Sequence, residues 1–142
     1  MIVDRERQFI DTNILVYAFD AVAGEKHEKA NALMRSLWVS RQGALSIQVL
    51  QEFFVTITRK VKNPYSPQEA AKIIEDFSVW HIHSPSVTDV LSAIDTQNRY
   101  QLSFWDAMII HSANILDCGT VWTEDLSHEQ KIQHTTILNP FL

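Results

Sequence analysis

The hydrophobic residues of this chain fall into short apolar runs that alternate with longer stretches of helical spacing. The apolar runs predict strands at residues 7–11, 44–47, 79–83, 120–122 and 135–138. The helical spacing predicts helices at 14–19, 25–40 and 48–62, and further helices from 66 to about 77, from 86 to about 100 and from 103 to 117. Residues 125–132 are expected to form a short helix or turn. This alternation predicts an α/β fold with a mostly parallel sheet and helices on both faces.

Several predicted helices begin with a recognisable capping signal. A small polar residue that is followed three positions later by an acid is typical of a helix start. The pairs are Ser66 with Glu69, Ser86 with Asp89, and Ser103 with Asp106. Thr12 or Asn13 is expected to cap the first helix, and Ser46 the third.

Length and composition predict one globular domain over residues 1–142, with 46% hydrophobic and 20% charged residues. The chain contains no apolar run near the roughly 20 residues that span a bilayer, and its charged first eight residues predict no secretory signal peptide. The single cysteine, Cys118, excludes an internal disulfide and fits a reducing cytoplasm.

The net charge of −5 argues against tight, non-specific binding of nucleic acid, which usually requires a basic surface. Two considerations weaken that objection. Bound divalent cations would offset part of the acidic charge. The basic residues also cluster, and Arg59, Lys60 and Lys62 form a candidate contact for phosphate groups.

Four acidic residues lie beside strongly apolar runs in four separate parts of the chain: Asp11, Glu52, Asp106 and Asp125. Asp11 and Asp125 follow predicted strands, and Glu52 and Asp106 are expected in the first turns of helices. In a parallel α/β fold, ligands bind outside the carboxyl ends of the strands. Two carboxylates about 4 Å apart repel by roughly 4 kcal/mol at an effective dielectric constant near 20, so such a cluster requires protons or divalent cations. Metal-dependent chemistry is therefore the leading hypothesis.

Each acid also has a purely structural explanation. Asp11 suits a helix cap, and Asp125 suits a cap of the following turn. Glu52 points away from the apolar stripe of its helix, as a solvated surface glutamate would. Asp106 suits a capping box with Ser103, although its helix face is otherwise apolar. The six histidines form no zinc-type spacing, and the chain has no glycine-rich phosphate loop.

Taken in order, the segments FIDTNILVYAFD, LSIQVLQEFF, LSFWDAMII, VWTEDL and ILNPF resemble the PIN-domain family, and more closely its VapC-type toxins. The resemblance implies a three-layer α/β/α fold with a five-stranded, mostly parallel sheet and an endoribonuclease that depends on Mg²⁺ or, as a substitute, on Mn²⁺. It places the catalytic acids at Asp11, Glu52, Asp106 and Asp125, with Asp11 and Asp106 as direct metal ligands. The residues that would support them are Thr12, Asn13 and Thr123.

The resemblance also implies partners: an RNA substrate, a small antitoxin protein and a second copy of the chain in a homodimer. One departure from the family's pattern is Glu129, in the loop after Asp125, where many relatives have glycine. Three alternatives stay open from the sequence. They are a PIN nuclease outside toxin–antitoxin pairs, a non-catalytic binding module for RNA or protein, and a receiver-type phosphoacceptor domain.

Overall fold

A six-stranded sheet forms the centre of the computed structural model, which describes residues 5–142. Its strands are β1 (Gln8–Ile10), β2 (Gly43–Ser46), β3 (His81–His83), β4 (Thr120–Trp122), β5 (Lys131–Ile132) and β6 (Thr135–Leu138). The strand order is β3-β2-β1-β4-β6-β5, and every neighbouring pair is parallel except β5 with β6. The predicted mostly parallel sheet is thereby confirmed, with a short antiparallel edge strand in addition to the five expected strands.

Six α-helices flank the sheet: α1 (Thr12–Phe19), α2 (Glu25–Ser40), α3 (Ile47–Arg59), α4 (Pro67–Phe77), α5 (Val87–Tyr100) and α6 (Phe104–Ile115). A 3-10 turn, Ala21–Ala23, joins the first two helices. Helix α1 packs against α2 and α3, helix α3 packs against α4, and α5 pairs with α6. Strand residues such as Phe9, Ile10 and Val121 are completely buried, as expected for strands that are covered on both faces. No helix within residues 5–142 is long and apolar enough to cross a membrane.

Local hydrogen bonds explain most of the helix starts. Ser66 and Glu69 form the predicted capping box at α4, with Pro67 in the first helical position. Ser46 caps α3 by accepting a hydrogen bond from the backbone N–H of Val49. The expectation for α1 was wrong: Asp11, not Thr12 or Asn13, is its N-cap residue.

The end of α3 differs from the prediction, whereas residues 125–132 take one of the two forms that were expected, a turn. Helix α3 ends at Arg59 instead of residue 62, with Lys60 as its C-cap, so Lys62 lies outside the helix. Residues 125–132 form bends and turns that lead into the short strand β5, with no helix. Glu129 has a positive φ of 69°, the left-handed conformation that glycine adopts without strain. This explains in physical terms why glycine would suit that position.

The strand order bears on the phosphoacceptor alternative. Receiver domains have the doubly wound order 2-1-3-4-5, in which the first strand lies beside the third. Here β1 lies between β2 and β4. The fold therefore does not support a receiver-type phosphoacceptor.

Gly43 provides a test of the packing at the sheet. A Cβ atom added to Gly43 would overlap the indole ring of Trp80. That ring is only 9% exposed and packs edge-on against Phe77 at a centroid distance of 4.8 Å. We expect Gly43→Ala to lower the free energy of unfolding by about 1–3 kcal/mol, because the ring must move out of a packed position.

Urea denaturation of both proteins would measure the loss. The same substitution in a Trp80→Leu background serves as the control, since a smaller side chain leaves room for the methyl group. An equal loss in both backgrounds would mean that Trp80 is not the cause.

Candidate active site

A cleft of about 350 Å³ opens at the carboxyl edge of the sheet, and all four predicted acids line it. We call it the acid cleft; its lining includes Asp11, Thr12, Asn13, Glu52, Asp106 and Asp125. Strand β1 is followed in sequence by β2 on one side, whereas β4 lies on its other side. The strand order therefore reverses between β1 and β4, which is where α/β folds bind their ligands.

Asp11 directly follows β1 and is buried, with 7% of its surface exposed. One carboxylate oxygen accepts a hydrogen bond from the backbone N–H of Thr12 (2.7 Å), and the other accepts one from the Thr123 hydroxyl (2.8 Å). The pKa of Asp11 is raised to about 6, chiefly by burial and to a lesser extent by the negative charges of Asp125 and Asp106, against the lowering effect of the two hydrogen bonds. Asp11 is thus held rigidly in a site that disfavours its ionised form.

Thr123 and Asn13 connect Asp11 to Asp125. The Thr123 hydroxyl donates to Asp11 and also accepts a hydrogen bond from the backbone N–H of Asp125 (3.1 Å). The side-chain amide of Asn13 donates to Asp125 Oδ2 (2.8 Å). Burial raises the pKa of Asp125, with further contributions from Asp106 and Glu124. These contacts place the Asp125 carboxylate, on the loop after β4, near Asp11 at the end of β1.

Glu52 reaches the same cleft from the second turn of α3. The sequence had predicted it in the first turn of that helix. Its two carboxylate oxygens accept hydrogen bonds from the Thr12 hydroxyl (3.2 Å) and from Gln48 Nε2 (2.8 Å). Although its side chain is exposed, it faces the cleft instead of open bulk solvent. The solvated-surface explanation therefore does not describe its position.

Asp106 and Asp89 each lie three residues after the serine that caps their helix, but only Asp89 completes a capping box. At α5, Ser86 and Asp89 form a complete capping box in which the Asp89 carboxylate accepts from the Ser86 backbone (2.7 Å). At α6, Ser103 caps the backbone N–H of Asp106 (3.1 Å), but the Asp106 carboxylate accepts no hydrogen bond from the described residues. Asp106 lines the acid cleft, so its carboxylate is available to a ligand.

The acid cleft contains negative charge without a balancing cation. No lysine or arginine is among the described residues that line it. Two amide oxygens of the lining, Asn13 Oδ1 and Gln48 Oε1, are buried and accept no hydrogen bond from the described residues. The amide nitrogen of each side chain donates to a carboxylate, Asp125 for Asn13 and Glu52 for Gln48. The amide oxygen must therefore face away from that carboxylate. Two buried oxygen acceptors beside the cleft are therefore left without a hydrogen-bonding partner among the described residues.

The carboxylates influence one another but do not form a closed cage. Within residues 5–142, no group of three or more His, Cys, Asp and Glu side chains is close enough to hold a metal ion as it stands. Small movements of side chains would be needed to bring three of them to one ion. The donor chemistry fits a hard divalent cation, because carboxylate and amide oxygens are the ligands that Mg²⁺ and Mn²⁺ prefer.

The predicted basic cluster and a histidine cluster that was not predicted both lie outside the lining of the acid cleft. Arg59, Lys60 and Lys62 are at and beyond the end of α3 and are not part of the lining. His83 is buried between Ser112 (2.7 Å) and Asp89 (3.2 Å), and Asp89 also contacts His111 (2.8 Å). The second cluster therefore joins β3, α5 and α6, away from the four acids.

Sequence reasoning missed several residues of the cleft: Tyr17, Gln48, Trp105 and the neighbouring Glu124. Gln48 lies four residues before Glu52 on one helix, a spacing that predicts contact and would have identified it. Glu124 accepts hydrogen bonds from the Tyr17 hydroxyl (2.6 Å) and from Lys26 (2.7 Å). No local pattern connects Glu124 to Tyr17 and Lys26, because it is about a hundred positions away from both.

Three solved structures resemble this fold over most of its length. A chain in a toxin–antitoxin complex from Klebsiella pneumoniae has a TM-score of 0.68 at 19% identity, covering 94% of this chain and 97% of its own. VapC20 from Mycobacterium tuberculosis, described as a Sarcin-Ricin loop cleaving toxin, has a TM-score of 0.64 at 20% identity, with 83% and 91% covered. VapBC2 from Rickettsia felis, bound to a DNA fragment from its promoter, has a TM-score of 0.63 at 18% identity, with 93% and 97% covered. At these identities the likeness establishes the fold.

The family model for the PIN domain matches residues 9–131, which include all four acids. No curated protein matches the sequence of this chain. The match covers most of the chain and agrees with the strand order, the helices and the position of the cleft. This chain belongs to the PIN-domain family.

Proposed function

We propose that this protein is a Mg²⁺-dependent endoribonuclease and the toxin of a VapBC-type toxin–antitoxin pair. One observation carries the proposal: four carboxylates from separate parts of a PIN domain line one cleft that has no lysine or arginine in its described lining. The structural likeness to VapC and VapBC proteins supports the toxin assignment. A nuclease needs such a site to bring divalent cations to a phosphate group.

Asp11 and Asp106 would hold the metal ion directly. Asp11 is fixed by hydrogen bonds from Thr12 and Thr123, and the Asp106 carboxylate has no hydrogen-bonding partner among the described residues. Mn²⁺ has similar ligand preferences and would substitute for Mg²⁺. When bound, a divalent cation stabilises charge on the phosphate and lowers the pKa of water.

The remaining acids would handle the attacking water. Glu52 is held by Thr12 and Gln48, and Asp125 by Asn13, so each carboxylate is already oriented toward the cleft. Either one can accept a hydrogen bond from a water molecule and align it with the phosphorus atom. Thr12, Asn13 and Thr123 support this arrangement by linking the acids to one another. Attack by water on the phosphorus atom would break its bond to the 3′-oxygen, which takes up a proton as the leaving group, so the products carry a 5′-phosphate and a 3′-hydroxyl.

Two protein partners belong to this function. A small antitoxin would cover the acid cleft, and a second copy of the chain would form a homodimer in the cytoplasm. Helix α5 exposes four apolar side chains at helical spacing, Val87, Val90, Leu91 and Ile94, which supports burial against another protein surface. Equilibrium sedimentation of the purified protein would test the dimer, and a small adjacent gene would test the antitoxin.

Replacing Asp11 by asparagine tests the metal-binding role. We expect Asp11→Asn to lower the rate of RNA cleavage at least about 100-fold, because the neutral amide no longer provides a charged ligand. Cleavage of single-stranded RNA would be measured with Mg²⁺, with Mn²⁺ and with a chelator, and the product ends would be identified. Asp76→Asn is the matched control, since Asp76 is exposed on α4, pairs with Lys72 and lies outside the acid cleft.

Each contrary result has a distinct meaning. Normal cleavage by folded Asp11→Asn protein rejects the role of Asp11, and cyclic phosphate ends reject attack by water. RNA binding without cleavage by the wild-type protein would favour a non-catalytic module instead.

The raised pKa of Asp11 predicts that stability depends on pH. The folded-state pKa is about 6, above the ordinary value of 3.8, so the folded protein holds this proton more tightly than the unfolded chain does. The resulting stabilisation is fully present below pH 4 and is lost as the pH rises through 6, with a total of about 3 kcal/mol. Asn at position 11 does not titrate, so urea denaturation of Asp11→Asn should lack this decline.

Adding Mg²⁺ at pH 8 should restore part of the lost stability in the wild-type protein and have little effect on Asp11→Asn. Parallel pH profiles for the two proteins would show that Asp11 is not the titrating group.

Arg59, Lys60 and Lys62 are proposed to contact the RNA backbone beyond the cleft. Arg59 is one helical turn past Thr56, which lines the cleft, and all three basic side chains are exposed. Replacing all three by glutamine should weaken RNA binding and make it depend less on salt. The slope of log K against log salt concentration should decrease in magnitude by about 2, since each phosphate contact with a single strand contributes roughly 0.7 to that slope. Titrations at several salt concentrations would measure the slope. An unchanged slope would dismiss this surface.

A further inference from the structure

Trp105 is an unusually exposed aromatic residue directly beside a predicted metal ligand. Its side chain is 64% exposed, whereas Trp80 is 9% exposed and Trp38 is 39% exposed. It precedes Asp106 at the start of α6 and lines the acid cleft. Leaving so large an apolar surface in water costs free energy that a polar residue at this position would avoid.

Trp105 also forms the wall between the acid cleft and a second depression. That depression has a volume of about 390 Å³ and is lined by Gln48, Gln51, Glu52 and Trp105. We call it the glutamine depression. Gln48, Glu52 and Trp105 line both spaces, so a molecule in the glutamine depression would be next to the four carboxylates.

Neighbouring groups support the Trp105 indole on the side that faces the protein. The Phe104 ring packs against it edge-on, with a centroid distance of 5.2 Å and an interplanar angle of 73°. The backbone carbonyl of Trp105 accepts a hydrogen bond from Gln48 Nε2 (3.5 Å). The ring is therefore supported on the protein side while most of its surface is open.

The glutamine depression also has polar groups beside the indole. Gln48 Oε1 is buried and accepts no hydrogen bond from the described residues, while the Gln48 amide nitrogen donates to Glu52 and to the Trp105 carbonyl, so this side chain fixes the wall of the depression. Gln51 is exposed on the same wall and offers its amide to the edge of a nucleobase.

We infer that Trp105 is a stacking platform for an unpaired base adjacent to the phosphate that is cleaved. The inference rests on the proposed nuclease function and specifies its substrate as single-stranded or looped RNA at that base. Unpaired bases stack on aromatic side chains, whereas bases in a duplex are already stacked on one another. A base stacked on Trp105, with its phosphate at the carboxylates, would fix which phosphate is cleaved, and the exposed Gln51 amide would contact the base edge.

Binding without cleavage provides the test. The probe is a fluorescein-labelled, random-sequence, single-stranded RNA of about twelve nucleotides, within the site size of single-strand binders, in the Asp11→Asn background with a chelator. We expect Trp105→Ala to raise Kd by roughly five- to 150-fold and Trp105→Phe to have a smaller effect, since it keeps an aromatic face. Ile115→Ala is the matched control, because Ile115 is 54% exposed at the other end of the same helix.

Tryptophan fluorescence supplies a second measurement. Single-stranded RNA should quench the fluorescence of the parent protein, and Trp105→Phe should lose that quenching although the other three tryptophans remain. Fully duplex RNA should quench it much less. With Asp11 intact, Trp105→Ala should raise KM for cleavage more than it lowers kcat.

The outcomes separate the two proposals. Normal RNA affinity and normal cleavage by Trp105→Ala would overturn the stacking role and point to a protein contact at this residue. Trp105-dependent binding with no cleavage by the wild-type protein would support stacking and reject the nuclease. Absence of both binding and cleavage would overturn both.

Discussion

Repulsion between carboxylates at one edge of a parallel sheet is the constraint on which the functional part of this molecule depends. Parallel strands all end at the same edge, so the residues that follow β1 and β4 are brought together by the fold itself. Burial of Asp11 at that edge makes its ionised form costly, and the neighbouring acids add to the cost. The surrounding structure holds this carboxylate in place without neutralising it.

Short polar side chains make that arrangement possible. Thr12 contacts both Asp11 and Glu52, Thr123 contacts both Asp11 and Asp125, and Asn13 fixes Asp125. A lysine or arginine in the same positions would stabilise the acids more strongly but would also occupy the place of a cation. Hydroxyl and amide donors orient the oxygens and leave their charge largely intact. The site thus keeps its acids in position without a lysine or arginine in its described lining.

The sequence predicted the fold well, because its signals are local. Serine–acid pairs and apolar periodicity located α4, α5 and the central strands. The four acids could be expected at one edge from topology alone. Local signals could not distinguish Asp89, whose carboxylate completes a capping box, from Asp106, whose carboxylate does not. That difference depends on side-chain rotamers and tertiary neighbours.

Long-range contacts account for the other gaps in the prediction. The link between Tyr17, Lys26 and Glu124 joins residues with no shared pattern in the sequence. Exposure of Trp105 is likewise decided by what packs against α6, and an apolar stretch such as SFWDAMII suggests burial. Glu129 adopts a left-handed conformation that its residue type disfavours. The surrounding chain holds it there, and its N–H donates a hydrogen bond to the Ile137 carbonyl (2.7 Å).

The unequal anchoring of Asp11 and Asp125 has a consequence for how the site would fill. Asp11 is immobilised between two elements of the core, whereas Asp125 is exposed on a loop whose later part includes the strained Glu129. Under the proposed roles, the metal ion would be positioned by the sheet through Asp11, whereas the water aligned by Asp125 would be positioned by a surface loop. Substitutions in that loop would then change the approach of the water more than the affinity for the ion.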